Sequence, residues 1–268
     1  MIEYVLSPTG SPLLVPVMSS WIQKYVLRGN ILFARRKDYR PLYDRLVESL
    51  RPLQHRWESA EGVVALTFDD GPSEWTIPIL ELLSRHDSRG TFFVVGRHIT
   101  KQHEATLRRV VAAGGELGNH SFTHPANIGE LPVAELREEL HATSERIGAV
   151  IESRPRFWRA PHFRSNLKAR TVAAGLGLRE AGASVIPADY QWSAEQTAAF
   201  VLDALRSGDV VDLHDGRPID EPVEASATSR EATVQALAII LEGMEERGLR
   251  SVALSELLEA PTLPDATP

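Results

Sequence analysis

The segment Ala65-Leu66-Thr67-Phe68-Asp69-Asp70-Gly71-Pro72 decides the fold, because an apolar run typical of a buried strand ends there in two adjacent carboxylates. Downstream, His120 and His124 are four positions apart, and Leu213-His214-Asp215 closes another apolar run. Two carboxylates at one strand end can divide their work, one holding a metal ion and the other moving a proton. Together these segments indicate a metal-dependent hydrolase.

The composition limits the fold and the partners. At 268 residues and 43% hydrophobic, the chain can bury one substantial core, and barrels of alternating strands and helices commonly reach this length as one domain. The net charge of -7 disfavours a nucleic-acid partner, because binding a polyanion needs clustered Lys and Arg. Since the chain has no cysteine, any metal must be held by imidazole and carboxylate groups.

From Val63 onward the sequence repeats one pattern, namely a short apolar strand, a turn with polar residues and a helical stretch. Helices are expected over 133–150 and over 229–247, the second with Ser229 as its N-cap. Seven strands that alternate with helices predict a parallel barrel of the α/β class, with reacting groups at its C-terminal rim. The expected strands are 63–68, 91–95, 116–119, 157–159, 184–186, 209–213 and 251–254.

Residues 1–60 do not follow this pattern, so we expect an N-terminal extension before a catalytic domain over 61–260 and a flexible tail over 261–268. The extension carries the basic cluster Arg35-Arg36-Lys37 among aromatic residues. We expect it to form a cap of strand and helix over the barrel. The alternative is an interfacial segment that docks near a membrane and its lipid-linked substrates.

The first residues lead us to expect a cytoplasmic protein. Met1-Ile2-Glu3-Tyr4 contains no basic region of the kind that precedes a signal core. The apolar stretch at 13–17 is too short, and too broken by proline, for a signal core or a membrane span.

The histidine pair has the spacing of a metal site. Four-residue spacing places His120 and His124 on one side of a helical turn, where both imidazoles can bind one ion. Two imidazoles and one carboxylate leave a tetrahedral Zn²⁺ one open position, and the pKa of water there falls from 15.7 towards about 7. Taken singly, Asp69-Asp70-Gly71 is an ordinary turn about half the time, and paired histidines are structural in most proteins.

Thr67-Phe68-Asp69-Asp70-Gly71-Pro72, His120-Ser121-Phe122-Thr123-His124, Arg159-Ala160-Pro161 and Leu213-His214-Asp215 follow one another in a recognisable order and spacing. They resemble the motifs of the polysaccharide deacetylase family, the NodB-homology domain. The resemblance covers roughly 63–258. It implies a distorted parallel (β/α) barrel with about seven strands, and removal of an N-acyl group from an amino sugar.

The resemblance implies a metal centre made by Asp70, His120 and His124. The expected ion is Zn²⁺, although two imidazoles and one carboxylate also accept Co²⁺, Ni²⁺ or Mn²⁺. The ligand set therefore indicates a divalent cation, and the resemblance favours zinc among the candidates.

The resemblance also implies a proton acceptor and a proton donor. Asp69 would be the general base, paired with Arg159, which orients it and keeps it ionised. His214 would be the general acid that protonates the leaving amine, and Asp189 would hold that imidazole in its protonated form.

The substrate-binding residues depart from the family pattern. The third motif usually continues with Tyr and Gly, but here it continues with His162 and Phe163. The backbone N–H of His162 would contribute to the oxyanion hole. Tyr190 stands where the family often has tryptophan. We assign substrate binding to His162, Phe163, Tyr190, Asp212 and Leu213.

Asp212 is the sharpest departure, since the family normally has an apolar residue there, against which the acetyl methyl packs. A carboxylate beside a methyl is costly unless something pairs with it. Either the strand turns Asp212 away, or the group removed is not an ordinary acetyl. We expect a pocket remodelled for a polar or smaller acyl group such as formyl.

The sequence thus indicates a metal-dependent amidohydrolase that acts on an N-acylated small molecule or oligosaccharide. One alternative is a hydrolase of a non-sugar amide or cyclic imide, since members of this broad family include such enzymes. Another is a non-catalytic, metal-containing binding protein of the same fold. Asp69 and His214 argue against the second alternative, because a binding protein needs neither a base nor an acid.

Overall fold

The computed structural model describes residues 4–6, 12–14, 56–57, 61–218 and 229–259. The chain divides into two compact units, Met1–Glu48 and Ser49–Pro268. In the first unit, strands β1 (Tyr4–Leu6) and β2 (Pro12–Leu14) form an antiparallel pair. Apart from residues 56–57, the rest of the predicted cap and the predicted tail at 261–268 lie outside the described residues.

The second unit contains a sheet of seven parallel strands that curls into an incomplete barrel. The strands are β3 (Val63–Asp69), β4 (Gly90–Val94), β5 (Glu116–Asn119), β6 (Phe157–Trp158), β7 (Arg179–Glu180), β8 (Val210–His214) and β9 (Arg250–Ser251). Their order across the sheet is β7-β6-β5-β4-β3-β8, and β9 pairs with the start of β3. The predicted parallel barrel is therefore confirmed.

Helices connect most of these strands. They are α1 (Thr76–Arg85), α2 (Glu104–Ala112), α3 (Val133–Ile151), α4 (Leu167–Gly175), α5 (Ala194–Ala204), α6 (Glu231–Glu246) and α7 (Leu254–Glu259). Helix α3 buries one face, on which Leu136, Leu140 and Ile147 recur at helical spacing. Within the described residues, no helix combines the length and apolar character that crossing a bilayer requires.

Strand β3 lies inside the sheet and is buried along almost its whole length. Because successive side chains point to opposite faces, Leu66 and Phe68 join the main apolar core, whereas Thr67 and Asp69 point to the other face. A strand that is covered on both faces reads as a continuous apolar run, which is why the segment before Asp69 is so distinctive.

Two of the predicted strands differ from the observed ones. The segment at 184–186 forms only an isolated bridge between Val185 and Val211. The strand predicted over 251–254 ends at Ser251, because Leu254 already begins α7. Strand β7 was not predicted, since Arg179-Glu180 is a polar pair without an apolar run.

The start of helix α6 also differs from the prediction. The N-cap is Arg230 rather than Ser229, although the Ser229 hydroxyl accepts a hydrogen bond from the backbone N–H of Glu231. Ser229 therefore satisfies the free backbone N–H of Glu231, although it lies one residue before the N-cap.

Leu213 lies in the apolar core and not with the polar side chains of β8. Alternation along the strand places Leu213 opposite to Asp212 and His214, and its side chain is fully buried in the main core. This placement corrects the assignment of Leu213 to substrate binding.

Replacement Leu213→Ala should lower the free energy of unfolding by about 2–5 kcal/mol, because it leaves a cavity in a packed core. Chemical denaturation measures this loss. The control Ile186→Ala truncates a side chain that is 48% exposed, and its effect should stay within roughly 0.5 kcal/mol. Equal, small effects of the two substitutions would contradict the core position of Leu213.

Candidate active site

Three side chains from the ends of β3 and β5 meet at one point. Asp70 follows β3, His120 follows β5, and His124 lies one turn further along the same loop. The Oδ1 atom of Asp70 is 3.5 Å from Nε2 of His120 and 3.3 Å from Nε2 of His124. One ligand atom from each residue lies within 4.8 Å of the other two. The structure therefore brings together the three predicted metal ligands.

The spacing of these atoms suits a small cation. Metal bonds of about 2.0–2.1 Å in a tetrahedral site place ligand atoms about 3.3–3.4 Å apart. Oδ1 of Asp70 is buried and has no hydrogen-bond partner among the described residues. His120 donates from Nδ1 to the backbone oxygen of Arg159 at 3.0 Å, which leaves Nε2 free to coordinate. The cluster fits a divalent metal ion.

The protonation states of two ligands also suit a cation. Burial, together with the charge of neighbouring His120, lowers the pKa of His124 to about 3. Burial alone would raise the pKa of Asp70, but the nearby histidines bring it below its ordinary value. Near neutral pH, His124 is therefore neutral and Asp70 is ionised, as metal binding requires.

The third ligand behaves differently. Burial opposes the charged form of His120, but the carboxylates of Asp69 and Asp70 outweigh it and raise its pKa. An incoming cation therefore competes with a proton at His120.

Strained backbone is concentrated at this site. Left-handed φ angles occur at Asp70 (74°), His124 (58°), His162 (54°) and Phe163 (55°). Non-glycine residues rarely adopt this conformation, and such strain is typical of functional sites. The loops therefore adopt backbone conformations of higher energy, and these conformations direct the side chains into the site.

Gly71 permits close packing beneath Asp70. A Cβ atom at position 71 would lie 2.3 Å from a carboxylate oxygen of Asp215, which is fully buried. Only glycine fits there without displacing that side chain. The chemistry of the Asp-Asp-Gly motif therefore depends on a steric requirement as well as on its carboxylates.

The guanidinium of Arg159 is fully buried and joins three parts of the barrel. Nη1 lies 2.7–2.8 Å from three oxygens, those of Thr67, Asp69 and Asp212. Nη2 and Nε donate to backbone oxygens after β7, those of Gly182 and Ala181. Arg159 is thus paired with the carboxylate predicted for it, and with a second one.

Asp69 stands between this arginine and the metal cluster. Its Oδ1 accepts from Arg159 at 2.8 Å, and its Oδ2 is 3.6 Å from Nε2 of His120. One oxygen is therefore held in place while the other faces the position where a metal ion would bind.

His214 is held by a buried carboxylate. Its Nδ1 lies 2.8 Å from Oδ1 of Asp189, and its backbone N–H donates to Oδ2 of the same residue. Thr233 also donates to Asp189 Oδ2. Burial opposes protonation of His214, but the charge of Asp189 dominates and raises the pKa of the imidazole well above its ordinary value.

A cavity of about 250 Å³ opens over these groups. Four of the predicted substrate-binding residues line it, namely His162, Phe163, Tyr190 and Asp212. The ring of His162 packs edge-on against His124, and that of Tyr190 against His214. Three lining residues escaped the sequence prediction, because none belongs to a motif with a chemical signature. They are Ile186, Pro218 and Arg230.

Asp212 is not turned away from the site. It lines the cavity, and its Oδ1 accepts a hydrogen bond from Arg159 at 2.7 Å. Burial, reinforced by the charge of Asp69, raises the pKa of Asp212 to about 7. Of the two sequence alternatives, the structure therefore has the carboxylate inside the pocket and paired.

Comparisons with known proteins agree with this geometry. The family model described as polysaccharide deacetylase matches residues 57–181. A chitooligosaccharide deacetylase of Bradyrhizobium sp. (strain ANU 289) is 36% identical over 198 residues, covering 72% of this chain and 90% of the relative.

Two solved structures are also similar. The Xyl-CE4 domain of a multidomain xylanase from the hindgut metagenome of Trinervitermes trinervoides is 30% identical, with a TM-score of 0.65. A family 4 acetyl xylan esterase from Clostridium thermocellum, in complex with a cobalt ion, is 31% identical, with a TM-score of 0.63. Each match covers 74% of this chain and 90% of the other chain.

The substitutions Asp70→Asn and His124→Ala should each weaken binding of a divalent ion. The loss should exceed the roughly 10- to 100-fold that outer-shell changes produce, because a direct ligand is removed. Metal content after dialysis against a competing chelator measures it. The control His141→Ala removes an exposed helical histidine and should leave metal content unchanged. Equal metal retention by all three variants would contradict the proposed ligand set.

Replacement Asp189→Asn should lower the pKa of His214, because the negative charge that favours the imidazolium is lost while the shape is kept. NMR titration of the imidazole resonances measures the shift. The control Tyr190→Phe keeps the aromatic ring against His214 and should leave that pKa near its wild-type position. An unchanged titration in Asp189→Asn would show that Asp189 does not control the imidazole.

Proposed function

The chain belongs to the polysaccharide deacetylase family, and from that premise we propose that it is a metal-dependent amidohydrolase that removes an N-acyl group from an amino sugar. The observation that carries the proposal is the pairing of Asp69 and His214, which are register neighbours on β3 and β8 beside the cluster of metal-ligating residues. A proton acceptor and a proton donor thus converge on one candidate metal centre.

Amide hydrolysis needs an activated water, stabilisation of charge on the carbonyl oxygen, and a proton for the leaving nitrogen. We assign the ion to Asp70, His120 and His124, whose ligand atoms lie close together. When bound, a divalent ion supplies Lewis acidity that polarises the carbonyl and acidifies water. We propose Zn²⁺, since two imidazoles and one carboxylate suit it, with Co²⁺, Ni²⁺ and Mn²⁺ as the alternatives.

Asp69 takes the proton of the attacking water. Its Oδ1 accepts a hydrogen bond from the buried guanidinium of Arg159. The same bond fixes Oδ1, so that Oδ2 remains directed at the reacting centre. Orientation of the base by a buried cation is the contribution of Arg159.

His214 gives its proton to the leaving amine. Asp189 keeps the imidazole protonated and accepts from the Nδ1 side, so that Nε2 is the donor. The backbone N–H of His162, in a loop that lines the cavity, is assigned to the developing oxyanion.

The substrate is an N-acylated oligosaccharide or small amino sugar. The Bradyrhizobium relative, a chitooligosaccharide deacetylase, covers most of this chain and supports this substrate class. A 250 Å³ cavity accommodates the acylated unit, and its aromatic residues, Phe163 and Tyr190, suit the faces of a sugar ring.

Asp69→Asn and His214→Ala should each lower kcat by about 10²- to 10⁴-fold on an N-acetyl chitooligosaccharide, because each removes one proton-transfer group. Both variants should retain the bound ion. Mass spectrometry of released acid measures turnover, and elemental analysis measures metal content. The control His141→Ala, on the exposed face of α3, should match the wild type.

The same assay separates the competing functions. Wild-type protein that holds metal but releases nothing from N-acyl sugars, acetylated xylan or cyclic imides would indicate a non-catalytic binding protein. Turnover of cyclic imides or xylan esters alone would replace the amino-sugar assignment.

A further inference from the structure

We propose that Asp212 selects the acyl group, and that the preferred group carries a hydroxyl next to its carbonyl, as in N-hydroxyacetyl (N-glycolyl) amino sugars. This inference rests on the proposed deacylase function and specifies which acyl group is removed. Asp212 acts here as a specificity-determining residue that contacts the substrate, and proton transfer stays with the residues assigned above.

The position of Asp212 follows from the register of two strands. Asp212 and His214 are two residues apart in β8 and point to the same face. Their partners on β3 are Thr67 and Asp69, respectively. Asp212 therefore lies one layer deeper in the barrel than the pair that moves protons. An acyl substituent that extends below the reacting carbon meets this carboxylate at the floor of the cavity.

The carboxylate of Asp212 is held through its Oδ1 atom, which accepts a hydrogen bond from Nη1 of Arg159. The residue is only 2% exposed, yet it lines the cavity. The cavity therefore presents a carboxylate to the acyl group that enters it, and a buried polar group of this kind is stabilised by a hydrogen-bond donor.

The neighbouring donors are already engaged by several acceptors. The hydroxyl of Thr67 already gives its single proton to the backbone oxygen of Val211 at 2.6 Å. Nη1 of Arg159 has two protons for three oxygens, and Nη2 points to the backbone oxygen of Gly182. An acyl group that carries its own donor therefore adds a hydrogen bond to this carboxylate.

A hydroxyl is the group that best matches this carboxylate. Burial raises the pKa of Asp212 to about 7, so both protonation states are populated near neutral pH. A hydroxyl donates to the carboxylate and accepts from the carboxylic acid. The methyl of an acetyl group and the hydrogen of a formyl group do neither, so they place a group that cannot hydrogen-bond against the carboxylate.

Competition between N-glycolyl, N-acetyl and N-formyl chitooligosaccharides tests the proposal on metal-loaded protein. For the wild type, kcat/KM for N-glycolyl should exceed that for N-acetyl by at least about 10-fold, since a site built to hydrogen-bond a hydroxyl rejects the analogue that lacks one. In Asp212→Leu the order should reverse, because the leucine side chain packs against a methyl.

Thr67→Val serves as the matched control. It removes another contact of Arg159 in the same layer but leaves the cavity lining intact. Its turnover should fall equally on all three substrates, so the glycolyl-to-acetyl ratio should remain that of the wild type. This control separates the effect of disturbing Arg159 from the effect of losing the carboxylate of Asp212.

If Asp212→Leu does not fold, the wild-type protein still tests the proposal through its ratio of kcat/KM for N-glycolyl and N-acetyl substrates. A wild-type preference for acetyl or formyl would overturn the role of Asp212 while leaving the deacylase function in place. An unchanged ratio in a folded Asp212→Leu variant would do the same. Absence of release from all three N-acyl substrates would overturn the proposed function itself, and this inference with it.

Discussion

The arrangement of the site depends on the buried guanidinium of Arg159. It holds Asp69 and Asp212 on adjacent strands, and it ties both to backbone oxygens beyond β7. Two carboxylates buried without a cation would each cost several kcal/mol. Arg159 offsets that cost and fixes the geometry, so its main effect is on the positions of the groups around it rather than on net stability.

The carboxylates of the site differ in function because their positive partners differ. Asp70 faces two imidazoles, and its Oδ1 atom has no hydrogen-bond partner among the described residues, which suits a metal ligand. Asp69, the proposed general base, is paired with a permanent cation. Asp189 faces an imidazole and keeps it charged. Environment, rather than residue type, thus assigns each role.

The sequence predicted the features that are local in the chain and missed those set by tertiary contacts. The apolar run before Asp69 and the spacing of His120 and His124 are local, and they led to the barrel and to the cluster. Strand β7 was missed because only pairing with β6 makes a polar pair extended. Arg230 comes to the cavity from the start of a distant helix, which no motif marks. The roles of 1–60 and the cytoplasmic location stay predictions.

The pairing of β3 with β8 affects the order in which the parts of the candidate active site come together during synthesis. The candidate metal ligands lie between positions 70 and 124, whereas the proposed proton donor, His214, comes from the last strand but one. The bond from Thr67 to Val211 spans 144 positions, and contacts of such long range form slowly. During synthesis the candidate metal ligands therefore emerge well before the proposed proton donor. By this assignment, the nascent chain lacks a complete set of reacting groups until its last third joins the sheet.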